Sequence, residues 1–229
     1  MWQRFAGELP EFFGYYNLIF LAKAALTTIA LSAIGALTGT VVGFAAAVVR
    51  VTRAPVLAPA RWLTVLLTEI FRRIPFLVTL MLVFFVFQLS GFDLSMFAVA
   101  LVAVFLIASS YLAEIIRAGF DSVHRNQWDA AAAMNFSLPA TIRHVVLPQA
   151  WRVILPPAFG FFILFIKDTA LASQIGVIEL TYAGKVLNNK GFSAALVFGT
   201  LLVIYFLISY PLALLGARLE KRLAASRTR

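Results

Sequence analysis

The sequence contains no cysteine and only two histidines, His124 and His144. Disulfide bonds, thiolate metal sites and thiol nucleophiles are therefore excluded. The two histidines have no other metal-ligating residues grouped around them, so they do not predict a metal site. We expect this chain to hold no catalytic residue, no metal and no cofactor of its own.

Charged residues are scarce as well. They make up 13% of the 229 residues, and hydrophobic residues make up 62%. A soluble domain is about a quarter charged and about half apolar. A helix whose outer surface faces lipid can remain apolar on all sides. The composition therefore predicts an all-α integral membrane protein, with the lipid bilayer as a partner.

The formal net charge is +9, from 19 Lys and Arg against 10 Asp and Glu. Such an excess is compatible with nucleic-acid binding. Here, however, the cations lie at the ends of hydrophobic runs, where membrane topology explains them better. We expect no nucleic-acid partner.

Hydrophobic runs long enough to cross a bilayer predict five transmembrane helices. A partly amphipathic stretch with Arg72, Arg73 and Pro75 precedes or interrupts the second run. The predicted segments are an external amino-terminal segment 1–17, spans at about 18–49, 68–89, 94–111, 153–178 and 192–217, a cytoplasmic loop 112–152, and a basic cytoplasmic tail 218–229.

The orientation follows from the Lys and Arg residues in the connections. Three follow the first span, four follow the third and five lie in the tail, whereas the other side has only Arg4, Lys185 and Lys190. Because cations concentrate on the cytoplasmic side, the amino terminus is predicted to be outside.

Three glycines, Gly35, Gly39 and Gly43, share one face of the first span. Small residues at this spacing allow another helix backbone to approach closely. We interpret the face as a packing surface. A sliding or dimer contact is the alternative.

The loop 112–152 is far longer than a simple connection between two helices needs. Asn126, with Asp129 three positions later, predicts the start of a short helix, and four alanines from Ala130 to Ala133 extend it. Leu138 and Pro139 are predicted to end it. From the residues alone, this helix suits either a lipid headgroup surface or a groove on another protein.

Several motifs together resemble a known family. Asp129-Ala130-Ala131, followed by Asn135, resembles the EAA loop of ABC importer permeases, with aspartate in place of glutamate and asparagine in place of glycine. Asparagine is the second-best residue for the left-handed backbone at a helix end. Further matching blocks are Glu69-Ile70-Phe71-Arg72 with Pro75, the run from Tyr111 to Gly119, Leu147-Pro148-Gln149-Ala150, and Lys167-Asp168-Thr169. The chain thereby resembles the polar amino acid uptake family of ABC transporter permeases.

The resemblance implies a type I importer membrane subunit for polar L-amino acids in the bacterial cytoplasmic (inner) membrane. It implies a second permease subunit, the same or different, ABC ATPase subunits that use ATP and Mg, and an external solute-binding protein. The sequence has no Gly-x-x-x-x-Gly-Lys-Ser/Thr loop, so the chain is expected to be a transport subunit rather than an enzyme. The residues expected to couple to the ATPase are Trp128, Asp129, Ala130, Ala131, Ala132, Met134, Asn135 and Phe136.

Ionisable residues inside predicted spans are candidates for a substrate path, because each costs about 2.5 to 3.5 kcal/mol at a helix centre. Asp168, with Thr169 beside it, is expected either to hold a substrate cation or to pair with a basic residue of a neighbouring span. Glu69 and Arg72 share a helix face and either bind a zwitterionic amino acid or neutralise each other. Glu114 and Arg117 have the same spacing and are predicted to form a structural ion pair.

Two other functions remain as alternatives. An ion-driven secondary transporter or channel for a small polar solute would also carry charges in the membrane, but carriers often show matching halves, which this sequence lacks. An intramembrane enzyme is disfavoured, because no histidine-metal motif and no serine with a positioned histidine is evident. The alanine-rich cytoplasmic helix is required only by the ATP-driven importer.

Overall fold

The structure is a computed structural model that describes residues 2–52 and 54–225 of the chain. Every regular element in these ranges is helical. The α-helices are α1 (Trp2–Phe12), α2 (Tyr15–Val51), α3 (Ala58–Arg73), α4 (Phe76–Ser90), α5 (Met96–Asp121), α6 (Arg125–Ala133), α7 (Leu138–Thr141), α8 (Leu147–Asp168), α9 (Leu180–Asn189) and α10 (Ala194–Ala225). The predicted all-α fold is confirmed.

Four helical segments of the described chain are long and apolar enough to cross a membrane: Tyr15–Val51, Met96–Asp121, Leu138–Ile175 and Ala194–Leu223. The count reaches five if the bent pair of α3 and α4 is one span. The protein is thus a multi-pass membrane protein.

The second predicted span, 68–89, is not one continuous helix. Ile74 adopts an extended conformation (φ −91°, ψ 135°), and α3 therefore ends at Arg73. Proline both lacks an N–H and forces the residue before it out of the helical region. Pro75 thus separates α3 from α4.

Other helix ends also differ from the predicted spans. The third predicted span corresponds to α5, which continues to Asp121 rather than stopping at residue 111. The fourth predicted span corresponds to α8, which begins at Leu147. After Asp168 a 3-10 helix, Thr169–Ile175, follows it. Hydrophobicity predicts the lipid-facing length of a helix, whereas these helices extend into polar residues that still hydrogen-bond within the helix.

The chain divides into two compact units, and each is described by itself. The first unit comprises the residues up to Gly35, Phe76–Val104 and Ile163–Pro211. The second comprises Ala36–Pro75, Phe105–Phe162 and the residues from Leu212 onward. Long helices such as α2 and α5 contribute to both.

The core of the first unit joins α1, α2, α9 and α10. Phe12 is fully buried, and its ring meets Phe192 edge to face at 5.2 Å between centroids. The Ser193 backbone N–H donates to Glu8 Oε2 at 2.8 Å. The predicted external segment therefore contains a helix, α1, that packs into this unit.

The core of the second unit holds α2, α5 and α8 together. Its buried residues are Ala47, Ile116, Phe120, Val123, Ile142, Val146, Ala150 and Ile154. A Cβ added at Gly43 would lie 2.8 Å from the Ala113 backbone nitrogen, so α2 and α5 are in close backbone contact there. The glycine face is a packing surface, as predicted.

Candidate functional site

The short helix α6 in the 112–152 loop begins at Arg125, and its N-cap is His124. The His124 backbone is extended (ψ 138°), and its Nδ1 accepts a hydrogen bond from the Asn126 N–H at 3.3 Å. The prediction that Asn126 caps the helix was wrong. The cap lies two residues earlier, where the chain leaves the extended conformation.

The two faces of α6 differ in exposure. Ala131 is fully buried, and Trp128 packs against the core of the second unit. Gln149 of α8 also donates to the Gln127 side chain at 3.4 Å. These contacts fix the helix to the chain. Of the residues expected to couple to the ATPase, Asp129, Ala130 and Ala132 of α6 and Met134, Asn135 and Phe136 just after it are exposed.

The end of α6 is a tight turn around Asn135, whose φ is +60°. Behind it, the Phe136 N–H donates to the Ala131 carbonyl at 3.0 Å, which closes a Schellman-type turn. The predicted left-handed conformation of Asn135 is confirmed. The helix therefore ends at Ala133 rather than at Leu138 and Pro139, and Pro139 instead lies in the first turn of α7.

An open groove of about 1190 Å³ lies beside α6 in the second unit. Its lining contains four arginines and three aromatic residues, Phe120, Trp128 and Phe136. The arginines are Arg50, Arg61, Arg117 and Arg125. The groove is thus lined by basic and apolar residues, together with Asp121 and Asp129.

Glu114 lies at the centre of a cluster of arginines. Its carboxylate is 2.5 Å from Arg117 Nη2, 2.8 Å from Arg50 Nη1 and 3.7 Å from Arg72 Nη1. Arg117 also pairs with Asp121. The predicted ion pair of Glu114 with Arg117 is confirmed. Because Arg50 and Arg72 come from other helices, the pair is part of a larger arrangement that sequence spacing did not indicate.

Glu69 forms the ion pair with Arg72 that one of the two alternatives expected, and a closer one with Arg73. Its carboxylate lies 2.6 Å from Arg73 Nη2 but 3.8 Å from Arg72 Nη1. Arg72 Nε is buried and has no hydrogen-bond partner among the described residues. The Arg72 guanidinium lies 5.9 Å from the centroid of the Tyr111 ring. Arg73 thus takes the closer contact with Glu69, and Arg72 lies near the carboxylates of both Glu69 and Glu114.

Asp168 and Thr169 lie in the first unit, where α8 ends. Asp168 is exposed, and none of the described lysines and arginines forms an ion pair with it within 4.0 Å. Thr169 is buried, donates to the Ile166 carbonyl at 2.7 Å and lies 3.2 Å from Ser32 Oγ. The alternative that Asp168 pairs with a basic residue of a neighbouring span is not supported within the described chain.

Glu179, which the sequence motifs did not indicate, is fully buried in the first unit and caps α9. Its carboxylate accepts hydrogen bonds from Tyr182 N–H at 2.8 Å, Tyr205 Oη at 3.0 Å and Thr28 Oγ1 at 3.4 Å. Burial raises the pKa of the Glu179 carboxyl, and these donors partly oppose the rise. The available sequence signal was a lone acidic residue between two apolar stretches.

No group of three or more His, Asp and Glu side chains that could hold a metal ion occurs in the described part of the chain. The clusters above are therefore built from ion pairs and hydrogen bonds.

Comparisons with known proteins agree with this description. The family described as "Binding-protein-dependent transport system inner membrane component" matches residues 39–225. The probable glutamine ABC transporter permease protein GlnP of Bacillus subtilis (strain 168) is 32% identical over 93% of this chain and 99% of its own length. The L-cystine transport system permease protein TcyB of the same organism is 34% identical over 86% of this chain and 83% of its length.

Solved structures share the fold. An amino acid ABC transporter crystallised with histidines gives a TM-score of 0.81 at 24% identity, covering 95% of this chain and 98% of the matched chain. The MetNI methionine ABC transporter in an inward-facing conformation gives a TM-score of 0.77 at 22% identity, covering 92% of this chain and 99% of the matched chain.

Proposed function

The chain belongs to the family of binding-protein-dependent transport system inner membrane components, and on that basis we propose that it imports polar L-amino acids. As a member of this family it is a permease, the non-enzymatic transport subunit of an ATP-driven importer. Its membership removes the ion-driven carrier as an alternative.

The proposed substrate class is supported by the relatives. Permeases 32% and 34% identical to this chain are named for glutamine and cystine. We expect an external solute-binding protein to deliver the amino acid, and a second permease subunit to complete the path in a bacterial inner membrane. The sequence contains no Gly-x-x-x-x-Gly-Lys-Ser/Thr loop, so we assign ATP and Mg to the partner ATPase.

The observation that carries the coupling role is the geometry of α6. Its buried Ala131 anchors the helix to the second unit, while Asp129, Ala130 and Ala132 remain exposed. Small exposed side chains leave the helix slender enough to enter a groove on another protein. In this proposal α6 enters a groove on the ATPase. Met134, Asn135 and Phe136, which follow the helix, are exposed beside it, and Trp128 holds the helix from its buried side.

For the substrate path, Asp168 is the strongest of the four candidates. It is exposed and has no ion-pair partner among the described cations, whereas Glu69 is already paired with Arg73. A free carboxylate suits a substrate ammonium. Thr169 would fix the backbone beside it through its bond with Ser32. Arg72 lies 3.8 Å from Glu69 and 3.7 Å from Glu114, so it ranks below Asp168 as a candidate.

Purification from membranes that contain the whole importer tests the coupling role. We expect ATPase activity to co-purify with the unaltered protein and to be lost with Asp129→Arg. Asp93→Arg, at another exposed aspartate, is the matched control and should retain the ATPase. If no ATPase accompanies the unaltered, folded protein, the proposal is wrong.

Uptake into proteoliposomes tests the substrate path. Asp168→Asn should raise the amino-acid concentration needed for half-maximal uptake while the ATPase still co-purifies. An unchanged concentration dependence would remove Asp168 from the path.

A further inference from the structure

The Glu114 cluster consists of Glu114 with Arg50, Arg72 and Arg117. It joins three helices of the second unit, because Arg50 belongs to α2, Arg72 to α3, and the other two to α5. Arg50 and Glu114 are the most enclosed members, with side chains 12% and 19% exposed. One carboxylate therefore holds together three helix segments that are separated along the chain.

Tyr111 extends this connection to a fourth helix. It lies one turn before Glu114 on α5, and its hydroxyl donates to the Arg72 carbonyl at 3.3 Å. Its ring stacks on Phe161 of α8 with centroids 5.3 Å apart and planes 18° from parallel. The positions of α3 and α8 are thus both defined relative to the same turn of α5.

The same helix leads directly to α6. From Glu114, α5 runs to Asp121, and α6 begins at Arg125 after three intervening residues. Phe120 and Val123 at this junction are buried with Ala150 and Ile154 of α8, and Trp128 of α6 packs against them. A Cβ at Gly119 would collide with Ile154, so no gap separates α5 from α8 here. A push on α6 therefore reaches α5 through close-packed contacts.

We propose that Glu114 is a positioning residue for transport: its shared ion pairs make the ends of α2 and α3 move with α5 when α6 is displaced. The inference rests on the proposed function, since it requires that an ATPase docks on α6. A packed core could transmit a push between neighbours. The pairs of Glu114 with Arg50 and Arg117 are hydrogen bonds, which are directional and resist both separation and sliding. The Arg72 pair, at 3.7 Å, acts together with the Tyr111 hydrogen bond to the Arg72 carbonyl.

A purely structural role predicts a different result from a coupling role. A stabilising cluster, once broken, lowers folding stability and the yield of complex, but each assembled complex still transports normally. A coupling joint, once broken, leaves complexes that hydrolyse ATP without moving substrate. The amount of amino acid taken up per ATP hydrolysed separates the two.

The experiment compares the complete importer in proteoliposomes with and without Glu114→Gln, which keeps the side-chain shape but removes the charge. We expect uptake per ATP hydrolysed to fall about 5-fold or more, the range of a typical coupling free energy between sites. ATPase co-purification and basal hydrolysis should remain. Glu114→Asp, which retains the charge, should recover part of the ratio. Glu220→Gln, at an exposed glutamate of α10, is the control and should behave as the unaltered protein.

An unchanged uptake-to-ATP ratio in Glu114→Gln would overturn the inference. A parallel loss of complex, ATPase and uptake at constant ratio would also overturn it, in favour of a structural role. If Glu114→Gln does not assemble, Arg50→Lys replaces it as the test variant, because lysine keeps the charge and loses the planar guanidinium. An Arg50→Lys importer with the same uptake per ATP hydrolysed as the unaltered protein contradicts the proposal. If even the unaltered protein shows no ATP-driven uptake, the proposed function has failed.

Discussion

Tyr205 of α10 donates a hydrogen bond to Glu179 Oε2 at 3.0 Å, inside the fully buried core of the first unit. None of the described lysines and arginines pairs with this carboxylate within 4.0 Å. Its partners are hydroxyls and backbone N–H groups at the start of α9. A buried carboxylate held only by neutral donors makes the stability of the protein depend on pH.

The sign of that dependence follows from the raised pKa of Glu179. The folded state favours the protonated form, so the stabilisation is fully present below the ordinary glutamate pKa and is lost as the pH rises through the raised value. We expect the melting temperature of the unaltered protein, relative to Glu179→Gln, to fall over this interval. Thermal unfolding in detergent at a series of pH values measures the difference.

Glu220→Gln is the control for this titration, because Glu220 is exposed. Its melting temperature should follow that of the unaltered protein at every pH. A pH-independent difference between the unaltered protein and Glu179→Gln would contradict the prediction.

Gly43→Ala should destabilise the second unit. The new Cβ would lie 2.8 Å from the Ala113 nitrogen and 3.0 Å from the Ser109 oxygen, both backbone atoms that cannot rotate away. We expect a loss of about 1 to 3 kcal/mol in the free energy of unfolding. Chemical or thermal unfolding in detergent measures it.

Gly199→Ala is the matched control, because nothing lies within 4 Å of its Cβ position in α10. Alanine there should leave stability unchanged or raise it by up to about 1 kcal/mol, since it is the better helix former. Equal effects at the two glycines would refute close packing as the reason for Gly43.

Asn135→Ala should weaken the turn that ends α6. The left-handed conformation costs a residue with a Cβ about 1 to 2 kcal/mol, and alanine lacks the polar side chain that offsets this in asparagine. Asn135→Gly should be neutral or stabilising. The melting temperature should therefore rank Gly at or above Asn, and Asn above Ala.

Asn126→Ala, in the first turn of the same helix, is the control for Asn135. Asn126 is exposed and has no positive φ, so alanine should change the melting temperature little. A ranking in which Asn135→Ala equals Asn135→Gly would show that the turn tolerates a Cβ and contradict the prediction.

Ala131→Leu and Ala130→Leu should separate the buried face of α6 from its exposed face. Ala131 is fully buried, so leucine overpacks the core and should lower stability by about 1 to 3 kcal/mol. Ala130 is exposed, so leucine should leave the melting temperature of the isolated subunit unchanged but reduce the amount of ATPase that co-purifies. If Ala130→Leu retains the full amount of ATPase, this face is not the docking surface.

Local patterns predicted the membrane class, the helical architecture and the position of α6. The prediction that Asn135 is left-handed was correct because the preference is a property of one residue and its neighbours. The predicted cap at Asn126 was wrong, since a favourable residue at a helix start does not specify which turn forms first. The prediction that Glu114 pairs with Arg117 was correct because residues three positions apart lie on the same face of a helix.

The tertiary structure alone decided the partners that come from distant parts of the chain. Arg50 is 64 residues from Glu114, and Tyr205 is 26 residues from Glu179. Hydrophobicity and helix periodicity determined which segments enter the membrane, because the free energy of transferring each residue into the bilayer depends on its residue type and not on its tertiary partners. Which side chains meet depends on how the helices pack, because a contact between helices requires the positions of both.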